Sequence, residues 1–336
     1  MEFFGIELHN VRDLVYNEDT GGYKISRMPL RITEKMIRDV AYGATGCELR
    51  FVPIDDEVTV KIRVVSEAKV ATVAVYYGSH QAGWRVGMRA LGKEITEITV
   101  PKSPKAEILK KISAEYGYAF SPEVVRIVLP SGCHHEIYEV IGKCRPPMPS
   151  ELPKKKYLAY GSSITHGSLA RHISDSYAVR LSENFGCDYF NLGFAGSARL
   201  EREVADYIAN ECEFDFCTLE MGINVLNMDP EEFRERVEYF VSTVAKAHPD
   251  KKIFCIDIFY MEDDVLYPGD PNSSPNIKRK IVKETVEKLS LPNTVYIPGL
   301  EILNGSRWLS EDMVHPNARG VEELARNLTA KIKEYI

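Results

Sequence analysis

The 336-residue sequence lacks both a long apolar run and an excess of basic residues. Its longest apolar stretches, such as 253–260, have the length of a strand, whereas a membrane-spanning helix needs about 20 apolar residues. Lysine and arginine number 42 against 49 aspartates and glutamates, for a formal net charge of -7. Duplex nucleic-acid binders normally carry a basic excess. We therefore expect neither a membrane nor a nucleic-acid partner.

Paired cysteines and targeting signals are also lacking. The seven cysteines are scattered and odd in number, and the first residues show no basic segment followed by an apolar one. These features predict a reduced, cytoplasmic protein. Cys133, His134 and His135 are adjacent, but three neighbouring residues rarely ligate one ion together. We expect no metal and no cofactor, and the sequence leaves a homo-oligomer open.

The first half of the chain has the pattern of an antiparallel β-sandwich. Apolar and polar residues alternate over 58–64, as in a half-buried strand. Further β-branched runs follow at 70–77, 95–100, 124–129 and 136–141, with one short helix expected at 106–116. Trp84 is expected in the core, with a surface aromatic for a sugar as the alternative. The run of prolines in 145–149 indicates a stiff connector, so the predicted sandwich, jelly-roll-like, covers 1–148.

The second half alternates strands and helices. We predict strands at 157–160, 189–192, 214–219, 253–259 and 295–297, and helices at 176–184, 201–210, 230–247, 277–289 and 318–335. Apolar strands joined by helices indicate an α/β fold with a flavodoxin-like, doubly wound parallel sheet, which would cover 149–336. Such folds bind ligands at the carboxyl ends of their strands. The polar segment 262–274 is expected to be a loop beside that site.

Four segments with candidate chemistry follow strands one, two, three and five of this predicted sheet. Ser163 follows Gly161 and could expose its hydroxyl at a tight turn, although small residues at a turn are also common without function. Gly196 permits close backbone approach to a ligand. Asn224 could donate to an oxyanion or simply cap a turn. Asp312 lies three residues before His315 and could orient it as a base, unless both are solvated while Asn317 caps the last helix.

Other histidines compete for the role of base. His166 lies three residues after Ser163, and His172 has Asp175 three residues beyond it. A base must face the hydroxyl and be oriented by a third group. His315, with Asp312, is preferred because the order Ser…Asp…His is that of a hydrolase triad.

These motifs resemble those of the SGNH, or GDSL-like, hydrolases. Gly161-Ser162-Ser163-Ile164 is similar to their first block, Gly196 to the second-block glycine, Asn224 to the third-block asparagine and Asp312-x-x-His315 to the fifth block. The motif sequences are especially similar to those of a bacterial branch whose members carry an N-terminal β-sandwich. Two departures are Ser162 and Val225, where many relatives carry Asp.

The resemblance implies roles for five residues. Ser163, His315 and Asp312 would form the catalytic triad, and the N–H groups of Ser163 and Gly196 with the Asn224 amide would form the oxyanion hole. The implied activity is that of a serine esterase, removing a small, acetyl-like acyl group from a carbohydrate or other hydroxylated small molecule. An acyltransferase using the same serine, and a non-catalytic glycan-binding protein, are the alternatives.

Overall fold

A computed structural model describes residues 1–66 and 71–336 and shows two compact units. The first unit comprises Met1–Lys155 with the short segments His172–Ser174 and Gly186–Asp188. The second comprises Lys156–Arg171, Asp175–Phe185 and Tyr189–Ile336. Val70, the first residue of the strand predicted over 70–77, lies outside the described residues.

The first unit consists mostly of strands. They are β1 (Glu2–Phe3), β2 (Ile6–His9), β3 (Asp13–Asn17), β4 (Gly22–Ser26), β5 (Glu48–Pro53), β6 (Glu57–Val64), β7 (Ala71–Tyr77), β8 (His80–Gln81), β9 (Met88–Leu91), β10 (Thr96–Pro101), β11 (Val125–Val128), β12 (His135–Ile141) and β13 (Cys144–Arg145). The helices are α1 (Leu30–Thr33) and α2 (Ala106–Tyr116), with 3-10 turns at Ile37–Tyr42 and Pro149–Glu151.

These strands form the predicted antiparallel sandwich. One sheet has the order β1-β2-β5-β11-β7-β8, with β13 on β5 and β9 on β7, and the other has the order β10-β6-β12-β4-β3. Both sheets contribute to one hydrophobic core, for example Phe51 and Val75 from the first sheet and Val60 from the second. The alternation along β6 therefore marks the face that packs against the opposite sheet.

The expected burial of Trp84 is wrong, since 90% of its surface is exposed. It lies in the turn between β8 and β9 rather than on a strand, so no sheet face covers it.

The second unit alternates strands and helices. Its strands are β14 (Lys155–Gly161), β15 (Cys187–Gly193), β16 (Phe216–Glu220), β17 (Lys252–Ile256) and β18 (Thr294–Ile297). Its helices are α3 (Ser163–His166), α4 (Tyr177–Phe185), α5 (Arg202–Glu211), α6 (Pro230–Ala247), α7 (Glu262–Leu266), α8 (Ser274–Leu289), α9 (Gly299–Ile302) and α10 (Ala318–Ile332), with 3-10 turns at Ile173–Asp175, Ile223–Val225 and Ser306–Trp308.

The five strands form a sheet of order β15-β14-β16-β17-β18, which is the flavodoxin-like 2-1-3-4-5 order expected from the sequence. Its strands β16 and β17 are almost wholly buried, because helices cover the sheet. Within residues 1–66 and 71–336, no helix has both the length and the apolar character needed to cross a bilayer.

Helix boundaries in this unit follow local capping. Asp229 accepts the Glu231 and Glu232 N–H groups at 2.9 and 3.2 Å, and Pro230 begins α6. Asn317 caps α10 in the same way.

Two expectations need correction. The fourth strand ends at Ile256 rather than 259, and the expected loop 262–274 contains the short helix α7, whose Met261 N–H is held by the Asp264 carboxylate at 2.9 Å.

Candidate active site

Ser163 is the first residue of α3 and follows β14 through a tight turn. The Ser162 hydroxyl caps this helix by accepting the Ile164 N–H at 3.2 Å. Gly161 must lack a side chain here, because a Cβ would lie 2.5 Å from Glu220 Oε2 and closer still to Thr165 Oγ1. The strand end, the glycine and the cap together place the Ser163 hydroxyl at the carboxyl edge of the sheet.

His315 and Asp312 lie next to this hydroxyl. His315 Nε2 is 2.7 Å from Ser163 Oγ, and His315 Nδ1 is 2.6 Å from Asp312 Oδ2. The ionised Asp312 can only accept, so Nδ1 donates its proton to it and Nε2 is left to accept the serine proton. The geometry is that of a nucleophile, a base and an orienting carboxylate in one hydrogen-bonded chain.

The other oxygen of Asp312 fixes the turn that carries the histidine. Oδ1 accepts the Ser310 hydroxyl at 2.7 Å and the Val314 and His315 N–H groups, both at 2.9 Å. Burial acts to raise the pKa of Asp312, but these hydrogen bonds outweigh it and hold the pKa well below its usual range. Asp312 therefore stays ionised whenever His315 becomes protonated.

Three candidate donors follow β14, β15 and β16. Asn224 Oδ1 accepts the Ala198 N–H at 3.1 Å, which turns the amide NH₂ to the opposite side. Gly196 has φ +67°, the left-handed region that favours glycine. In the part of the chain that the structure describes, the Ser163 and Gly196 N–H groups and the Asn224 NH₂ donate no hydrogen bond. These groups are free to bind an oxyanion, as the resemblance implies.

The competing histidines have other partners. His166 Nδ1 is 3.0 Å from the Gly193 carbonyl oxygen, within the second unit. His172 belongs to the first unit, where Nε2 lies 3.0 Å from the Thr72 carbonyl oxygen. Asp175, the expected partner of His172, instead pairs with Arg180 at 3.1 Å. His315 Nε2, in contrast, lies directly against Ser163 Oγ.

Sequence reasoning missed Glu220, the last residue of β16. The Glu220 side chain is only 2% exposed. Its Oε2 accepts the Ser162 N–H at 2.6 Å and the Thr165 hydroxyl at 3.0 Å. Burial raises the pKa of Glu220, an effect opposed by these hydrogen bonds and by the nearby His315. The available signal was a single acidic residue ending an otherwise uncharged strand, Phe-Cys-Thr-Leu-Glu.

Asn191, on β15, is a second residue that sequence reasoning did not single out for a role. Its Nδ2 donates to the Thr165 carbonyl at 2.8 Å, and its Oδ1 accepts the Gly193 N–H at 2.7 Å. Gly193 packs so closely on α3 that a Cβ would lie 2.6 Å from His166 Cα. The amide thus joins the second-strand loop to the serine helix.

A metal centre is not formed by the described residues, which contain no cluster of three suitable side chains. Among the three adjacent residues considered above, His135 begins β12 and is fully buried, and burial lowers the pKa of its imidazole to about 3.

The family comparison matches residues 154–333 to a model described as the GDSL-like lipase/acylhydrolase family. No curated protein sequence shows significant similarity to the chain. Among solved structures, the salicylyl-acyltransferase SsfX3 from a tetracycline biosynthetic pathway is 18% identical, with TM-score 0.78, over 97% of this chain and 95% of that one.

Two further structures resemble both halves of the chain. A protein described as a GDSL-like lipase from Bacteroides ovatus is 20% identical, with TM-score 0.67, over 98% of this chain and 97% of that one. A family two carbohydrate esterase from Cellvibrio japonicus is 13% identical, with TM-score 0.65, over 99% and 95%. At such identities the likeness shows a shared two-part fold.

Proposed function

The chain belongs to the GDSL-like lipase/acylhydrolase family, and we propose that it is a serine esterase that removes a small acyl group from a carbohydrate or another hydroxylated small molecule. The observation that carries the proposal is the continuous hydrogen-bonded chain from Asp312 through His315 to Ser163. Nucleophile, base and orienting acid are each within hydrogen-bond distance of the next, as acyl transfer through serine requires.

In the proposed reaction, Ser163 Oγ attacks the ester carbonyl carbon while His315 Nε2 takes its proton. The oxyanion is bound by the N–H groups of Ser163 and Gly196 and by the Asn224 amide. The intermediate collapses, and the leaving alcohol takes the proton from His315. Water then attacks the acyl-serine in the same way, which releases the acid and restores the serine.

The proposed substrate class follows from structural neighbours. Several are described as carbohydrate esterases, including the family two enzyme from Cellvibrio japonicus and an acetyl xylan esterase from Butyrivibrio proteoclasticus. Their resemblance extends over most of this chain, including its sheet-rich first half. A small acyl group on a sugar hydroxyl is therefore the first substrate class to test.

A second candidate function uses the same serine. The neighbour with TM-score 0.78 is described as an acyltransferase, so the acyl-serine could pass its acyl group to an alcohol instead of to water. The ratio of new ester to free acid, measured as an acceptor alcohol is added, separates the two activities. A yield of new ester greater than the share of alcohol in the solvent accounts for would identify a transferase.

The test of the proposed function is a panel of acetyl, butyryl and longer acyl esters of sugars and simple alcohols, with mass spectrometry of the intact protein. We expect turnover of short acyl esters and a transient mass increase equal to the acyl group. Ser163→Ala should show neither. A folded wild-type protein that neither turns over the esters nor becomes acylated would contradict the proposal.

A further inference from the structure

Glu220 is a buried carboxylate that contacts the serine turn from the adjacent strand. Its Oε2 accepts two donors from that turn, the Ser162 N–H at 2.6 Å and the Thr165 hydroxyl at 3.0 Å. Both donors flank Ser163, one residue before it and two residues after it. The carboxylate thus bridges the start and the middle of α3.

A short chain of hydroxyl groups extends from this carboxylate. Thr165 Oγ1 lies 2.7 Å from the Tyr177 hydroxyl. Because Thr165 donates its own proton to Glu220, Tyr177 must donate to Thr165. All three side chains are buried, so each would lose a hydrogen bond that water could not replace if the chain were broken.

The backbone beside Glu220 is built to let the carboxylate approach. A Cβ on Gly161 would lie 2.5 Å from Glu220 Oε2 and 2.9 Å from Glu220 Cβ. Such separations are far below van der Waals contact. Any side chain at position 161 would displace Glu220, Thr165 or the turn itself.

We propose that Glu220 is a positioning residue that holds the Ser162 backbone so that the Ser163 hydroxyl and N–H face the same reacting carbonyl. The inference rests on the proposed esterase function. Ser162 has φ -80° and ψ -158°, an extended conformation from which the chain turns directly into α3. Glu220 accepts the Ser162 N–H, and the Ser162 hydroxyl accepts the Ile164 N–H. The backbone is therefore held on both sides of Ser163. Misplacement by about 1 Å at such a point can cost about 10²-fold in rate.

The experiment compares Glu220→Ala, Glu220→Gln and a matched control, Asp257→Ala. Asp257 is an equally buried carboxylate that follows the next strand, but it accepts the Gly299 N–H at 2.6 Å and the Tyr296 hydroxyl at 2.5 Å, away from the serine turn. Ester kcat and KM, the rate of fluorophosphonate labelling and the thermal midpoint are measured for each protein. Glu220→Ala should lower kcat and the labelling rate by about 10²-fold with KM within about twofold.

Glu220→Gln keeps an acceptor oxygen for the Ser162 N–H, so its kcat should recover to within about tenfold of wild type. Asp257→Ala should stay within about threefold in kcat and in labelling, with each protein assayed at the same interval below its own thermal midpoint. Equal effects of Glu220→Ala and Asp257→Ala at matched stability would show that Glu220 only supports the fold, and would overturn the inference.

Gly161→Ala provides a second variant if Glu220→Ala does not fold, since the carboxylate stays present while the added Cβ crowds its contacts with the serine turn. Its kcat should fall while KM is largely kept, and a wild-type kcat in this variant would contradict the inference. Active wild-type protein with an unaffected Glu220→Ala variant would overturn this inference alone. Wild-type protein that neither hydrolyses esters nor is labelled would overturn the proposed function as well.

Discussion

Replacing Asp312 with Asn should nearly abolish turnover, for a reason specific to this turn. Asp312 Oδ1 holds three donors, from Ser310, Val314 and His315, so the single oxygen of an asparagine must occupy that position. The NH₂ group then takes the place of Oδ2, 2.6 Å from His315 Nδ1. Nδ1 must accept rather than donate, which moves the imidazole proton to Nε2. A protonated Nε2 cannot take the Ser163 proton.

The expected loss follows from forcing the wrong tautomer. In serine hydrolases such a change costs about 10⁴-fold in kcat, equivalent to about 5 kcal/mol of barrier. The assay is steady-state hydrolysis of a short-chain ester at neutral pH, with KM expected to change little because Asp312 acts on His315. Circular dichroism and the thermal midpoint report whether the turn is retained.

Ser310→Ala is the matched control, since it removes one of the three donors to Oδ1 but leaves the carboxylate facing His315. Its kcat should remain within about tenfold of wild type, because two backbone donors still hold Asp312. An Asp312→Asn variant that keeps more than about a tenth of wild-type kcat would refute the tautomer argument and the assignment of Asp312 as the orienting acid.

Three further predictions follow from other contacts. Asn224→Ala should lower kcat by about 10²–10³-fold with little change in KM, as for loss of one oxyanion donor, and an effect confined to KM would instead indicate a role in substrate binding. Burial raises the pKa of Asp257 to about 6, so its stabilising contribution is present below about pH 4 and is lost as the pH rises through about 6. Between pH 4 and pH 7, the free energy of unfolding of Asp257→Asn, measured by urea titration, should therefore rise by up to about 3 kcal/mol relative to that of wild type. Parallel pH profiles of the two proteins would contradict this. Arg50 donates to the two carboxylate oxygens of Asp188 at 2.8 and 2.7 Å and also pairs with Glu48. Arg50→Ala should destabilise the first unit by about 3–5 kcal/mol, because both carboxylates would stay buried without that cation. A change in thermal midpoint too small to resolve would show that the pair contributes little.

Regular elements of the fold could be predicted wherever the pattern was long. The alternation over 58–64 predicted β6, and the helix predicted over 230–247 coincides with α6, which has a proline and an aspartate cap at its start. The alternating strands and helices of the second half also predicted a parallel, doubly wound sheet, because crossover connections allow few topologies.

Strands β2 to β5, of four to six residues, and the shortest strands were not predicted. β1, β8 and β13 have two residues each, too few for an alternation to be recognised. These strands exist because neighbours in the sheet supply their hydrogen bonds, which is tertiary information. The burial of Trp84 could not be predicted for a related reason. It depended on whether another element packs over the turn between β8 and β9.

Residues of the candidate site were found by motif, whereas their supporting contacts were not. Ser163 and His315 are separated by 152 positions, yet both stood in segments that follow predicted strands. Glu220 and Ser162 are 58 positions apart, and nothing in the local sequence pairs a strand-ending glutamate with the backbone N–H of a residue that follows another strand. Arg50 and Asp188, 138 positions apart, are a second such pair.

The most direct test of the account is to locate the reactive serine by peptide mapping of protein labelled with a fluorophosphonate. Ser162 and Ser163 are adjacent, but only the Ser163 hydroxyl lies 2.7 Å from His315 Nε2, while the Ser162 hydroxyl caps α3. We predict label on Ser163 alone, complete loss of labelling in Ser163→Ala and in His315→Ala, and retained labelling in Ser162→Ala. Label on Ser162, or undiminished labelling of Ser163→Ala, would contradict the proposed catalytic site.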